Sequence, residues 1–168
     1  MMRGRWSISA LALLALIPLG GCSMWAREDE STRDSRIQGK FVTIETTAYC
    51  PCGICCDWKL NWLGKPVHAS GRNRGKPKAV GITASGKKAK PGTLAADTRY
   101  YPFGTVIYIP GYGYGIVEDR GGDIKGRHRL DLYHNTHPEA RRWGRQKLQC
   151  VVFPPGTPPI PKNARPPR

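Results

Sequence analysis

The chain has 168 residues, with 27 Lys and Arg against 12 Asp and Glu and a formal net charge of +15. This length leaves room for one domain and excludes a large multidomain architecture. So basic a chain attracts polyanions. Nucleic acid is excluded as the partner, because no recognition-helix or RNA-binding motif is present and because the chain carries the export signal described next.

Residues 1–22 are predicted to be a lipoprotein signal peptide. Two arginines precede an apolar run at residues 8–19, which is too short to span a bilayer, and small residues lead into Cys22. The last four residues resemble a lipobox, which would make Cys22 the lipidated first residue of the mature protein. An ordinary cleaved signal is the alternative. Ser23 follows, where enterobacterial lipoproteins retained in the inner membrane carry aspartate, so we expect an outer-membrane lipoprotein facing the periplasm.

Three segments follow the signal. Residues 23–39 are polar and charge-mixed, which predicts a flexible tether, and residues 154–168 are rich in proline, which predicts an extended, disordered tail. Residues 40–153 remain to build a single domain, which we expect to be monomeric. In the envelope, the anions available to its positive charge are peptidoglycan carboxylates, wall polymers and lipid headgroups; a basic surface without a specific partner is the alternative.

The predicted elements of this domain are mostly strands. Alternating or short apolar runs bounded by Gly and Pro occur at residues 41–49, 105–109, 114–117, 129–133 and 147–153. One helix is predicted after Thr136, since Glu139 has capping-box spacing and Gly144 would end it. Residues 65–78 are expected to be a surface loop. Many short strands with one or two short helices favour a closed, mainly β barrel.

The segment at residues 49–56, YCPCGICC, concentrates four cysteines. Disulfides are the first interpretation in an exported domain, with Cys150 on the last strand as a partner for the cluster. The candidates are Cys50, Cys52, Cys55, Cys56 and Cys150. The alternative is a thiolate zinc site built on the Cys52-x-x-Cys55 spacing, with Cys50 or Cys56 and Cys150 as the other ligands. The four histidines are interpreted as solvated or capping residues, and Trp58 and Trp62 as neighbours on one helical face that pack against the barrel.

Three aspartates stand at the ends of predicted strands: Asp97, Asp119 and Asp131. Cleaving a glycosidic bond requires a proton for the leaving oxygen, and neighbouring carboxylates help one of them to stay protonated. A second negative charge stabilises an oxocarbenium-like transition state. Ordinary turn chemistry, with Asp beside Gly, is the alternative interpretation.

Several motifs in order resemble one family, the 3D domain named for three aspartates. They are residues 81–86 (GITASG), 94–97 (LAAD), 102–109 (PFGTVIYI), 117–126 (VEDRGGDIKG) and 130–133 (LDLY). The family includes the catalytic barrel of a membrane-bound lytic transglycosylase and related wall-remodelling proteins. The resemblance implies a six-stranded double-psi β-barrel that cleaves peptidoglycan between N-acetylmuramic acid and N-acetylglucosamine, without a cofactor, and leaves a 1,6-anhydro end.

The resemblance also implies roles for individual residues. Asp131 falls on the position of the acid/base, and Asp119 and Asp97 fall on the supporting carboxylates. Lys125, Arg127 and Tyr133 are weaker candidates for substrate contact. The alternative function is a non-catalytic wall-binding or wall-loosening barrel of the same fold.

Overall fold

Short apolar segments separated by Gly and Pro build a fold made mainly of strands. A computed structural model of the protein describes residues 39–157. Its strands are β1 (Lys40–Tyr49), β2 (Trp58–Leu60), β3 (Pro66–His68), β4 (Thr93–Ala96), β5 (Val106–Ile109), β6 (Gly113–Asp119), β7 (Arg129–Tyr133) and β8 (Gln146–Phe153), and its helices are α1 (Gly53–Cys56) and α2 (His137–Trp143). The predicted signal peptide, almost all of the tether and the tail beyond residue 157 lie outside the described residues.

Six of the strands close into a barrel in the order β1-β7-β4-β6-β5-β8, and β2 and β3 form a separate hairpin. The pairs β1–β7 and β4–β6 are parallel, and the other barrel pairs are antiparallel. This confirms the predicted mainly β fold, a closed six-stranded barrel with two short helices. Within residues 39–157, neither helix has the length and apolar character needed to cross a membrane.

The period of two along the strands decides which side chains fill the barrel. Ile44 and Thr46 of β1 and Leu130 and Leu132 of β7 are fully buried. Ile44, Leu130 and Leu132 join a continuous interior cluster that also contains Leu94, Ala96, Ile107, Ile109, Val117 and Cys150. Because successive side chains of a strand point to opposite faces, the residues between them, including Asp131, point to the outer face of the barrel.

Helix α2 begins and ends where the sequence predicts. The side chain of Thr136 accepts from the backbone N–H of Glu139, and the Glu139 side chain accepts from the backbone N–H of Thr136, which completes a capping box. Gly144 ends the helix with φ 66°, a backbone conformation that favours glycine. The helix is held to the barrel by Trp143, whose indole N–H donates to the Thr46 hydroxyl at 3.2 Å.

Of two expectations for residues 53–78, one is wrong and the other holds only in part. Trp58 and Trp62 do not share a helical face, since Trp58 lies in strand β2. The indole N–H of Trp58 donates to the Pro51 carbonyl at 2.8 Å. Trp62 is 90% exposed and does not pack against the barrel. The predicted loop at residues 65–78 contains β3, which pairs with β2. Strands of three residues are too short to show an alternating pattern, so no local signal predicts this hairpin.

Candidate active site

A row of four side chains crosses the outer face of the barrel. Thr47 on β1 pairs with Asp131 on β7, Asp131 pairs with Ala95 on β4, and Ala95 pairs with Asp119 on β6. Residues directly opposite each other on neighbouring strands project from the same face, so the two aspartates flank Ala95. Ala95 itself is 3% exposed and packs with Tyr49 and Tyr133. Two of the three predicted aspartates therefore belong to one site.

Asp131 is half-buried, as is Asp119. The Thr47 hydroxyl donates to its Oδ1 at 2.8 Å. Burial raises the pKa of Asp131 to about 6, helped by the negative charge of Asp119 and opposed by hydrogen bonds from Thr47 and the Leu132 backbone. A carboxyl with this pKa remains protonated in about a tenth of molecules at pH 7, which suits a general acid.

Asp119, at the end of β6, acts as a hydrogen-bond acceptor for three groups. The backbone N–H of Ala84 donates to Oδ1 at 2.9 Å, that of Arg120 donates to the same oxygen at 2.8 Å, and the Tyr49 phenol donates to Oδ2 at 3.1 Å. Burial, together with the charge of Asp119, raises the pKa of Tyr49 far above its usual range, so the phenol stays a donor. The motif at residues 81–86 thus has a structural role, because it brings the Ala84 amide to Asp119.

Asp97 has a different environment from the other two aspartates. Its carboxylate forms a two-point ion pair with Arg99, at 2.9 and 2.7 Å, and accepts from the Gly126 backbone N–H at 2.8 Å. The Arg99 guanidinium holds the pKa of Asp97 well below its usual range, and the Gly126 N–H adds to this. Asp97 therefore stabilises the loop between β6 and β7. Its hydrogen bonds go to Arg99 and Gly126 and not to Asp119 or Asp131.

The loop at residues 120–128 connects the two site aspartates, because β6 ends at Asp119 and β7 carries Asp131. Gly121 is in close contact with Ile124, and a Cβ at Gly121 would collide with the Ile124 side chain, whereas Gly122 faces open space. An open groove of about 340 Å³ lies beside the loop, lined by Asp97, Arg99, Arg120 and Lys125 among others. Its lining is rich in cationic side chains.

The three predicted substrate-contact residues differ in their surroundings. Lys125 is exposed and lines the groove. Arg127 is exposed as well, with its guanidinium carbon 5.5 Å from the centre of the Tyr100 ring. Tyr133 is only 7% exposed, and its ring packs edge-on against Tyr49 at a centroid distance of 5.5 Å. Tyr133 thus supports Tyr49, and its role in substrate contact stays a prediction.

Sequence reasoning missed Thr47 and Tyr49. The alternation at residues 41–49 places Thr47 opposite the buried face, but only the register of β1 against β7 brings it to Asp131. Tyr49 stands beside the cysteine motif in the sequence, yet its phenol reaches an aspartate 70 positions away. No local pattern indicates either contact.

The cysteines separate into two environments, and the five within the described residues are free. Cys50, Cys52 and Cys55 lie with His137 in one group whose ligand atoms are all within 4.8 Å of one another. Cys150 does not join them, since it lies in the barrel interior. The expected disulfide between Cys150 and the cluster is therefore not formed, because the side chain of Cys150 lies on the inward face of β8. His137, interpreted as a capping or solvated residue, is a potential metal ligand instead.

Comparisons with known proteins relate the chain to cell-wall proteins. Residues 92–154 match the family model of the 3D domain. YabE of Bacillus subtilis (strain 168), named for cell wall shaping, is 28% identical over 133 residues, which are 76% of this chain and 25% of YabE. The cell wall-binding protein YocH of the same organism is 34% identical over 77 residues, which are 44% of this chain and 26% of YocH. The chain thus spans about a quarter of the length of these curated relatives.

A search of solved structures finds MltA from E. coli, with a TM-score of 0.37 and 23% identity. The similarity covers 48% of this chain and 30% of MltA.

Proposed function

We propose that this chain, whose residues 92–154 match the family model of the 3D domain, is a peptidoglycan lytic transglycosylase. It cleaves the bond between N-acetylmuramic acid and N-acetylglucosamine and leaves a 1,6-anhydro end. The observation that carries this proposal is Asp131, a half-buried carboxyl with a pKa raised by burial to about 6, beside Asp119 on the outer face of the barrel. The cell-wall names of YabE and YocH support the substrate class.

The first step is protonation of the leaving group. Protonated Asp131 gives its proton to the glycosidic oxygen, while the Thr47 hydroxyl, which donates to Oδ1, holds the carboxyl in place. As the bond to C1 of the muramic acid breaks, positive charge develops on the ring. Asp119 lies on the far side of Ala95 and supplies negative charge close to that position. The Tyr49 and Ala84 donors hold this carboxylate in place.

The second step returns the proton to Asp131. The Asp131 carboxylate accepts the proton of the muramic C6 hydroxyl while the O6 atom bonds to C1 and closes the 1,6-anhydro ring. One glycosidic bond is broken, one intramolecular acetal bond is formed between O6 and C1, and the proton given to the leaving sugar is replaced by the proton of the C6 hydroxyl. Water is not consumed. Asp131 thus serves as acid and then as base.

Substrate attraction follows from charge. The chain has a formal net charge of +15, and Arg120 and Lys125 line the groove beside the loop that joins Asp119 to β7. The stem peptides of peptidoglycan carry carboxylates, which a cationic groove attracts. Arg127 is a further candidate contact on the same loop. Asp97 acts as a positioning residue, because it holds Gly126 of that loop through the backbone.

The location that fits this substrate is the cell envelope. We extend the proposal to a lipid anchor on Cys22, with the domain attached by the tether at residues 23–39 to the outer membrane and facing the periplasm. Two acyl chains are enough to hold a small domain on a membrane. Metabolic labelling with an alkyne fatty acid tests this directly: the full chain should be labelled, and the Cys22→Ala variant should not. Labelling of both proteins alike would contradict the anchor.

A second candidate function is binding without cleavage, which the similarity to the cell wall-binding protein YocH favours. One experiment separates the two functions. The purified full chain is incubated with insoluble peptidoglycan, and bound protein and released soluble fragments are measured after sedimentation. Transglycosylase activity requires fragments that depend on Asp131. Sedimentation of the wild type and of Asp131→Asn with no fragments from either would leave binding as the function.

A further inference from the structure

The cluster of Cys50, Cys52, Cys55 and His137 has no role in the proposed chemistry. Its parts come from separate regions of the chain, since the cysteines follow β1 and His137 is the first residue of α2. The Nδ1 atom of His137 lies 3.3 Å from the Cys55 Sγ, 3.6 Å from the Cys52 Sγ and 3.9 Å from the Cys50 Sγ. The Cys50 and Cys55 sulfurs are 3.7 Å apart.

These separations match a tetrahedral metal site. With Zn–S bonds near 2.3 Å and Zn–N bonds near 2.0–2.1 Å, tetrahedral angles place two sulfurs about 3.8 Å apart and a sulfur and a nitrogen about 3.6 Å apart. The sulfur–sulfur distance of 3.7 Å agrees, and the three sulfur–nitrogen distances of 3.3, 3.6 and 3.9 Å are centred on the expected value. A disulfide would require the sulfurs to be about 2.05 Å apart.

The local backbone also orients the ligands. Cys52 is the N-cap of α1, and its sulfur accepts from the backbone N–H of Cys55 at 3.5 Å. This places Cys52 and Cys55 one helical turn apart on the same side of α1. His137 follows Thr136, the N-cap of α2, so the capping box fixes the backbone from which its ring projects.

We propose that Cys50, Cys52, Cys55 and His137 bind one zinc ion as a closed structural site. Three thiolates and an imidazole form a ligand set that zinc takes up in structural sites, with no open position for substrate. Cys56 is not a ligand, since its thiol lies against the Cys50 carbonyl at 3.1 Å. Cys150 is not a ligand, since it is buried in the barrel core.

The position of the site indicates what the ion would stabilise. Tyr49 and Tyr133 are paired at the ends of the parallel strands β1 and β7. Cys50 directly follows Tyr49, and His137 lies four residues after Tyr133. Zinc would therefore join the two chain segments that leave these strands. Thr47 and Asp131 are paired two residues earlier on the same two strands, so the ion would hold the strand pair that carries the candidate acid.

The test is the metal content of the full chain, purified without chelators and measured by inductively coupled plasma mass spectrometry. We expect one zinc per chain, lost from Cys52→Ser and His137→Gln to below about a tenth of that value. Cys56→Ser is the matched control, because it removes an adjacent thiol that is not a ligand, and it should keep the zinc. Replacement by cobalt(II) should give the thiolate charge-transfer and visible bands of a tetrahedral site in the wild type and in Cys56→Ser.

Exported proteins ordinarily oxidise their cysteines, so the same samples are digested and mapped for disulfides. A folded wild-type chain without zinc, or with a disulfide between any two of the three cluster cysteines, would overturn the proposal. So would zinc that is retained by His137→Gln. The zinc content and disulfide map of the wild type are enough to overturn the proposal, so the test remains valid even if a ligand variant fails to fold. Zinc content is independent of peptidoglycan cleavage, so the two proposals can fail separately.

Discussion

Thr47 and Asp131 lie opposite each other on the parallel strands β1 and β7, and the Thr47 hydroxyl donates to Oδ1 of Asp131 at 2.8 Å. The bond has two consequences. It fixes the orientation of the carboxyl. It also favours the ionised form, yet burial outweighs it, so the pKa of Asp131 is raised to about 6. The strand pair thus supports an acid that is partly protonated near neutral pH.

Replacing the proposed acid should abolish cleavage without unfolding the barrel. Asp131→Asn keeps the shape of the side chain but cannot donate a carboxyl proton, so the rate of fragment release should fall by about 10²- to 10⁴-fold. Circular dichroism should be unchanged. Asp123→Asn is the control, because Asp123 is exposed on the neighbouring loop, and its rate should match the wild type. Equal activity of Asp131→Asn and the wild type would remove Asp131 from the mechanism.

The pH profile should report the pKa of Asp131. Above pH 6 the protonated fraction falls about tenfold per unit, so the rate should fall with it. Two substitutions should move this limb in opposite directions. Thr47→Val removes a bond to the carboxylate and should shift the limb to higher pH, whereas Asp119→Asn removes a negative charge and should shift it to lower pH. Shifts in the same direction, or none, would refute this assignment of causes.

The raised pKa of Asp131 should also cost stability. In the folded protein this pKa is about 6, against 3.8 for the free group, so above pH 6 the folded state holds an ionised carboxylate that burial disfavours. Asp131→Asn removes that penalty, and at pH 7.5 the free energy of unfolding should rise by about 1–3 kcal/mol. As the pH falls from 6 to below 4, the folded wild type becomes protonated and the difference should vanish. Urea unfolding at both pH values measures it, and a variant less stable than the wild type at pH 7.5 would contradict the expectation.

The Asp97 carboxylate should stabilise the folded protein at neutral pH, whereas that of Asp131 destabilises it. Its pKa is held below the usual range by Arg99 and the Gly126 N–H, so its contribution to stability is present at neutral pH and is lost as acid protonates it. Asp97→Asn should lower the melting temperature at pH 7. The difference from the wild type should shrink at the most acidic pH values that the protein tolerates. A melting temperature unchanged at pH 7 would show that the ion pair contributes nothing.

The loop between the site aspartates depends on a close contact. Gly121→Ala places a methyl group against Ile124 and should destabilise the protein by about 1–3 kcal/mol, since the loop has to move to admit it. Gly122→Ala is the matched control, because a Cβ there meets open space. Thermal unfolding of both variants measures the effect. Equal melting temperatures for the two variants would mean that the contact carries no energy.

Local patterns were enough to predict most of the barrel. The alternation that buries Ile44 and Leu130, and the capping box of Thr136 and Glu139, depend on residues a few positions apart. Contacts that depend on the closure of the barrel could not be predicted in this way. Thr47 reaches Asp131 across 84 positions and Cys55 reaches His137 across 82, and neither contact leaves a pattern in the sequence around it. Asp97 is the intermediate case, because Arg99 stands only two positions away.

Mass spectrometry of the soluble fragments released from purified peptidoglycan tests the central proposal most directly. The full chain and its Asp131→Asn variant are incubated in parallel, and the ends of the released glycans are identified. The proposal predicts 1,6-anhydromuramic ends from the wild type and no fragments above background from the variant. Reducing ends would mean that water, and not the C6 hydroxyl, attacks C1. An absence of fragments from the wild type would contradict the account.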